Sequence, residues 1–225
     1  MATILITGAG RGIGLELARQ AVARGDAVLG TARSAAGRAA IEALGAAALA
    51  ADVTDPASLD ALAAALAPRA PLDAVICNEG VLEAGGPMDD PGNTAEAWAR
   101  TLMTNVAGPF FTARALVPLL RAPGGKIGVI SSAMGASHRA KGTGYSYRAS
   151  KAAATNVALN LARELAPRGV AVAAWHPGWV RTDMGGAAAD VSVEESAAGL
   201  LARLDALSME TTGAFEDYAG DAIVP

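Results

Sequence analysis

Aromatic residues are scarce in this chain. Phe, Trp and Tyr make up 4% of its 225 residues, so any core must be built from Ala, Val, Leu and Ile. There is one cysteine, Cys77, which excludes an internal disulfide. The two histidines, His138 and His176, lie far apart, and no CxxC or Cys/His spacing is present, so no metal site is expected. Neither sign of charge dominates: the formal net charge is −4, with acids and bases interspersed, which gives no reason to expect a nucleic-acid partner. No run reaches the roughly eighteen apolar residues of a membrane helix. The opening Met1-Ala2-Thr3-Ile4-Leu5 lacks the basic start of a secretory signal. These absences lead to the expectation of a soluble protein in a reducing compartment, the cytoplasm, with no membrane partner.

What is present is an alternation. Short apolar runs at 3–7, 27–31, 47–51, 74–77, 126–131 and 170–176 read as buried strands. Between them lie helical patterns at 13–24, 35–44, 57–67, 96–120 and 147–165. Gly25 stops the first helix, and Asp55-Pro56 supplies an N-cap and a first-turn proline for the third. Pro109 and Pro118 argue for a bend or break in the long stretch 96–120. Strands alternating with helices imply βαβ units and a parallel sheet. The fold class expected is α/β, a doubly wound parallel sheet flanked by helices, as one domain over 1–225. The least regular stretches, 81–95 and 179–195, are long enough to be functional loops.

The first strand runs into Gly8-Ala9-Gly10-Arg11-Gly12-Ile13-Gly14. Glycines there permit a tight turn and let backbone N–H groups approach a pyrophosphate at a helix N-terminus. A strand–turn–helix context makes this a dinucleotide-binding fingerprint rather than a merely structural turn. The residue that reads the adenosine ribose is expected about twenty residues further on. No acid stands there: the sequence is Gly30-Thr31-Ala32-Arg33-Ser34. Arg33 and Arg11 either clamp a 2′-phosphate, which favours NADP over NAD, or are ordinary surface arginines.

Tyr147 and Lys151 are four residues apart at the start of a helix and share one face. A phenol with an ordinary pKa of about 10 is a poor acid near neutrality, and a neighbouring ammonium is expected to lower it. Such a phenol gives a proton to a carbonyl oxygen or takes one from an alcohol. The other reading is a surface Tyr/Lys pair, which is common. Ser131 and Ser132 close the strand at 126–131, where residues face the ligand crevice. Adjacent strand residues point opposite ways, so only one of the two hydroxyls is expected to stabilise a developing oxyanion.

Together these residues resemble the short-chain dehydrogenase/reductase family. Thr7-Gly8-x-x-x-Gly12-Ile13-Gly14 is similar to its cofactor motif and Tyr147-x-x-x-Lys151 to its catalytic motif. The resemblance implies Ser132 as the catalytic serine and Asn105, in Thr104-Asn105-Val106, as the fourth member of the set. It also implies that Asp52 and Val53 contact the adenine ring. The segment Pro177-Gly178-Trp179-Val180-Arg181-Thr182-Asp183-Met184 would close over the nicotinamide, bringing Pro177, Gly178, Val180 and Thr182 to the cofactor. The Tyr-Arg-Ala-Ser-Lys run and the ending Phe215-Glu-Asp-Tyr-Ala-Gly220 resemble the C-factor and sniffer-type carbonyl reductase branch. One departure stands out. The family's Asn-Asn-Ala-Gly is here Cys77-Asn78-Glu79-Gly80, keeping Asn78 and Gly80 but placing a carboxylate where adenosine should lie, to crowd it or to point to solvent.

The implied activity is hydride exchange between NADP and a small carbonyl or alcohol. Tyr147 is the acid/base, Ser132 holds the oxygen, Lys151 tunes the phenol and bonds the nicotinamide ribose, and Asn105 serves a proton relay. Met134, His138, Leu82, Trp179 and Met184 either line an apolar substrate pocket or are plain packing residues. The alternatives are a non-catalytic NADP-binding regulator on the same fold, since fold does not give function, and an epimerase or dehydratase, for which no added substrate domain is seen. Family analogy further implies a homodimer or homotetramer, with the stretches at 96–120 and 147–165 packing across a two-fold axis.

Overall fold

The computed structural model describes residues 1–225. Seven parallel strands form one sheet: β1 (Thr3–Ile6), β2 (Ala27–Thr31), β3 (Ala47–Leu49), β4 (Ala74–Cys77), β5 (Lys126–Ile130), β6 (Ala171–His176) and β7 (Phe215–Asp217). Their order is β3-β2-β1-β4-β5-β6-β7. The order reverses between β1 and β4, and a crevice opens there beyond the carboxyl ends of the strands.

Alternation of side chains builds a separate core on each face of the sheet. On one face Ile4, Ile6, Ile76 and Trp175 pack with Leu17 and Ala21 of α1 (Gly12–Ala23), Ile41 of α2 (Ala35–Glu42) and Leu200 and Leu204 of the final helix. On the other, Leu5, Val75, Ile127 and Val172 meet α3 (Pro56–Leu66), α5 (Gly108–Leu116) and α6 (Tyr145–Leu165). Two-sided burial explains why the strands read as unbroken apolar runs. Trp175, on β6, is the one large aromatic fully buried in this core. It fits because Gly128 on the neighbouring strand has no Cβ; one there would overlap the indole ring.

Local chemistry fixes the helix starts. Ser34 accepts from Gly37 N at the head of α2, Asp55 from Ala57 N at the head of α3, and Thr94 from Ala97 N at the head of α4 (Ala95–Leu102). The final helix, α7 (Val193–Ala206), is capped by Ser192. Neither α7 nor β7 is marked by the sequence pattern, and α7 begins inside the stretch read as irregular at 179–195. Of the breaks expected in the stretch at 96–120, the one at Pro118 is present, since α5 ends at Leu116 and Pro118 lies in a 3-10 turn, Val117–Leu119, while before Pro109 the helix does not break. It widens into a π-helical turn, Met103–Ala107, between α4 and α5. Pro109 lacks an N–H, and its ring would clash with the carbonyl four residues back, that of Asn105. A widened turn accommodates both while keeping the stretch continuous.

Candidate active site

The glycine turn lies at the end of β1. Gly8 and Gly12 have φ of 62° and 53°, the left-handed region that favours glycine. A Cβ on Gly8 would overlap Glu79 Cγ, and one on Gly14 would overlap the Gly8 carbonyl oxygen. The turn is braced from β4: Asn78 Nδ2 donates to the carbonyls of Thr7 (3.0 Å) and Gly8 (3.2 Å), and Asn78 N donates to Thr7 Oγ1. Unlike α2, α3, α4 and α7, helix α1 has no side-chain cap, and its first turn holds no acidic residue. Its first N–H groups therefore lack a side-chain partner at the positive end of the helix dipole. A cradle closed to any Cβ, ending in uncapped N–H groups, fits the pyrophosphate of a dinucleotide.

The two arginines have different neighbours. Arg33 faces Asp52 at 4.0 Å, while Arg11 reaches Asp183 at 3.2 Å across the cleft; both pairs are mostly exposed. The Asp52 carboxylate is occupied by Thr54, accepting from its N–H (2.9 Å) and its hydroxyl (2.7 Å). Burial disfavours ionisation of Asp52, but these bonds and the Arg33 charge outweigh it and hold its pKa below the usual value. Val53 is buried against Gly108, so its side chain belongs to the core.

At the ends of β4 and β5 the four residues singled out as catalytic come together. Asn105, in the π turn, is buried; its amide accepts from Val81 N (2.8 Å) and donates to Val81 O and Ser150 Oγ (both 2.9 Å). Ser150 Oγ in turn donates to the Tyr147 carbonyl at 2.7 Å. The Lys151 amine is buried and donates to the Ile130 carbonyl at 2.8 Å. A Cβ on Gly80 would lie 3.3 Å from Lys151 Nζ and 3.5 Å from Asn105 Oδ1, so only glycine leaves that space open. The two serines divide as strand geometry requires. Ser131 turns into α6, bonding the Lys151 carbonyl and Thr155, and Ser132 faces the Tyr147 hydroxyl. Ser132 also caps a short turn by accepting from Met134 N at 3.1 Å, which leaves its O–H free to donate.

The electrostatics differ from the expectation that the ammonium lowers the phenol. Burial raises the Tyr147 pKa above its ordinary value, opposed only by the hydrogen bond from Ser132. The amine beside it is moved as well: desolvation lowers Lys151 to about 8. The reason is that burial takes the amine out of water, while its bond to the Ile130 carbonyl directs it away from the phenol oxygen. Tyr147 is thus held as a proton donor, beside an amine easily made neutral.

The segment after β6 folds across the cleft mouth. Gly178 (φ 87°) packs on Val191 and Tyr218; Val180 is buried; the Pro177 carbonyl accepts from Ser196 Oγ. Thr182 Oγ1 accepts from Gly185 N, and the Trp179 indole donates to the Gly185 carbonyl. Leu82, Met134, Trp179 and Met184 are large apolar side chains left exposed, an arrangement suited to an apolar ligand. His138 is also exposed. Arg148 is a residue that sequence reasoning missed: it donates to the carbonyls of Thr143, Met134 and Arg139 and so ties the loop carrying Met134 and His138 to α6. Ser150 and Val81, which hold Asn105, were equally silent, because only their spatial meeting gives them meaning.

Comparison with known proteins agrees with this geometry. The family model for short chain dehydrogenase matches residues 2–191. A 1-hydroxy-2-glutathionyl-2-methyl-3-butene dehydrogenase of Rhodococcus sp. (strain AD45) is 36% identical over 98% of both chains. The NADPH-bound carbonyl reductase from chicken fatty liver superposes with a TM-score of 0.91 at 31% identity, covering 100% of this chain and 99% of that one. The carbonyl reductase Sniffer of D. melanogaster also gives a TM-score of 0.91, at 26% identity with 100% of both chains covered. With its glycine turn, its Asn–Ser–Tyr–Lys cluster and a family match over most of its length, the chain belongs to the short-chain dehydrogenase family.

Proposed function

We propose that the protein is an NADP(H)-dependent oxidoreductase that interconverts a ketone or aldehyde with its alcohol. One observation carries this reading: Tyr147, Ser132, Lys151 and Asn105 converge at the strand ends beside an uncapped glycine turn. The bound nicotinamide supplies or accepts the hydride. Ser132 donates to the substrate oxygen with the O–H that its bond from Met134 leaves free. The Tyr147 hydroxyl, kept protonated by burial, gives its proton to that same oxygen in the reducing direction and takes it back in the oxidising one. Lys151, which now bonds the Ile130 carbonyl, would hold the nicotinamide ribose and keeps its positive charge near the phenol. Asn105 fixes Val81 and Ser150 and so the mouth of the proton path. Arg33, with no acid at the ribose-reading position, recognises a 2′-phosphate, the basis for NADP over NAD.

A non-catalytic dinucleotide-binding role leaves the buried amine without a purpose, since an amine in a dehydrated site opposes folding. The exposed mouth residues support small, mostly apolar carbonyl substrates. Exposed Leu102, Met103 and Phe110 on the α4–α5 stretch support self-association as a homodimer or homotetramer. The lone reduced Cys77 is compatible with the cytoplasm. The deciding experiment is NADPH oxidation over a panel of ketones and aldehydes. Turnover that vanishes in Tyr147→Phe supports the enzyme; no turnover with any carbonyl while NADPH binds overturns it.

A further inference from the structure

Glu79 is unassigned by anything above. It stands at the end of β4 and lies over the glycine turn, its Cγ occupying the space a Gly8 side chain would take. The side chain is part-buried, and its Oε2 is buried with no hydrogen-bond partner. The crevice it borders, with Thr7, Val53, Cys77, Thr104, Gly108, Pro109 and Thr112, is too narrow for a water molecule. A carboxylate oxygen that can be neither hydrated nor bonded is strongly disfavoured in its charged form.

The charged groups facing it are two. Arg33, beyond β2, favours ionisation; Asp52, beyond β3, opposes it and also takes up Arg33. Cys77 on β4 is the third titratable neighbour, with a thiol pushed up to about 12 by burial and by Glu79, so it stays neutral. The residues that the α4–α5 stretch turns into this crevice, Thr104, Gly108, Pro109 and Thr112, are uncharged. Burial, the largest influence, raises Glu79 to about 7. The charge state of this side chain therefore changes near neutrality, directly beneath the phosphate cradle and beside the arginine that reads a 2′-phosphate.

We propose that Glu79 couples cofactor binding to proton uptake: the cleft takes the dinucleotide with this carboxyl protonated, and ionised Glu79 rejects NADP(H) more strongly than NAD(H). The inference rests on the reading that the glycine turn and Arg33 hold the cofactor. A phosphate brought over a carboxyl of this kind raises its proton affinity further, so one proton is taken up on binding above neutral pH. The ligand with more negative charge feels the carboxylate more, both directly and through the share of Arg33 that Glu79 retains.

The test is direct binding of NADPH and of NADH to wild type, Glu79→Gln and Glu79→Ala, by fluorescence titration. Between about pH 6 and about pH 8.5 the wild-type Kd for NADPH should weaken roughly tenfold, and that for NADH less. Both variants should be nearly flat over this range, apart from the tightening that ionisation of the 2′-phosphate itself brings near pH 6. Calorimetry in buffers of different ionisation enthalpy should show close to one proton taken up by wild type at mildly alkaline pH and none by Glu79→Gln. Equal pH slopes in wild type and both variants would overturn the proposal while leaving the cofactor reading intact. If Arg33→Ala leaves the NADPH-to-NADH affinity ratio unchanged, the cofactor reading itself fails, and this inference with it.

Discussion

The Lys151 amine lies 5.6 Å from the centre of the Tyr147 ring, yet the hydrogen bond it makes is to the Ile130 carbonyl, 2.8 Å away. The two side chains share a helix face, but the main chain of β5 holds the amine. Its charge is therefore near the phenol without being bonded to it, and burial sets the resting protonation of both groups.

Removing the phenol hydroxyl should separate chemistry from binding. Tyr147→Phe should lower kcat for carbonyl reduction by about 100-fold or more, the usual range for a lost acid, with NADPH affinity within about twofold of wild type. Steady-state kinetics alongside cofactor titration check this. In the cofactor-free protein an ultraviolet difference titration should show two tyrosines ionising above the usual value of about 10, Tyr147 and Tyr218, of which Tyr147→Phe should lose one.

Lys151 should oppose folding below about pH 8. Its folded pKa, about 8, is below the ordinary lysine value of 10.5, so between these two values the unfolded chain binds the extra proton. Stability from this group therefore rises with pH across that window, and the desolvation penalty is present in full below it. Lys151→Met should raise stability at pH 7 by about 1–2 kcal/mol, after the lost bond to Ile130 is counted. That gain should shrink as pH approaches the unfolded value. Urea melts at neutral and alkaline pH measure it; a loss of stability at pH 7 would contradict the account.

Gly128→Ala tests the core rather than the site. The added methyl would overlap the Trp175 ring, which is fully buried and cannot swing away. The expected cost is about 1–3 kcal/mol, typical of overpacking, visible in thermal or denaturant unfolding. Trimming the indole in a Gly128→Ala, Trp175→Leu double variant should recover part of it.

The exposed pair between Arg11 and Asp183 links the glycine turn to the segment after β6. As a surface ion pair it should contribute under about 1 kcal/mol to stability. Asp183→Asn should thus leave the unfolding midpoint essentially unchanged at moderate salt. Arg33→Ala, by contrast, should weaken NADPH binding by roughly tenfold to 100-fold and NADH binding little, since a charged hydrogen bond is lost only with the former.

Much of this protein follows from sequence alone because its signals are local. The glycine turn needs left-handed residues at Gly8 and Gly12, the Tyr147–Lys151 pair needs only helical spacing, and Asp55-Pro56 caps its helix within two residues. The strands announce themselves because both faces are buried. Tertiary structure decided what depends on chain segments far apart. The helix α7 and the edge strand β7 carry weak patterns and form against β6 and α1. The π turn that seats Asn105 answers to a proline and to Val53 beneath Gly108. Sequence spacing placed Lys151 near Tyr147, but the carbonyl that holds it and the dehydration that lowers it come from β5 and the crevice. Glu79 was equally free to face solvent until folding laid it over Gly8. Burial is a property of the assembled whole, and burial is what sets the charge of these groups.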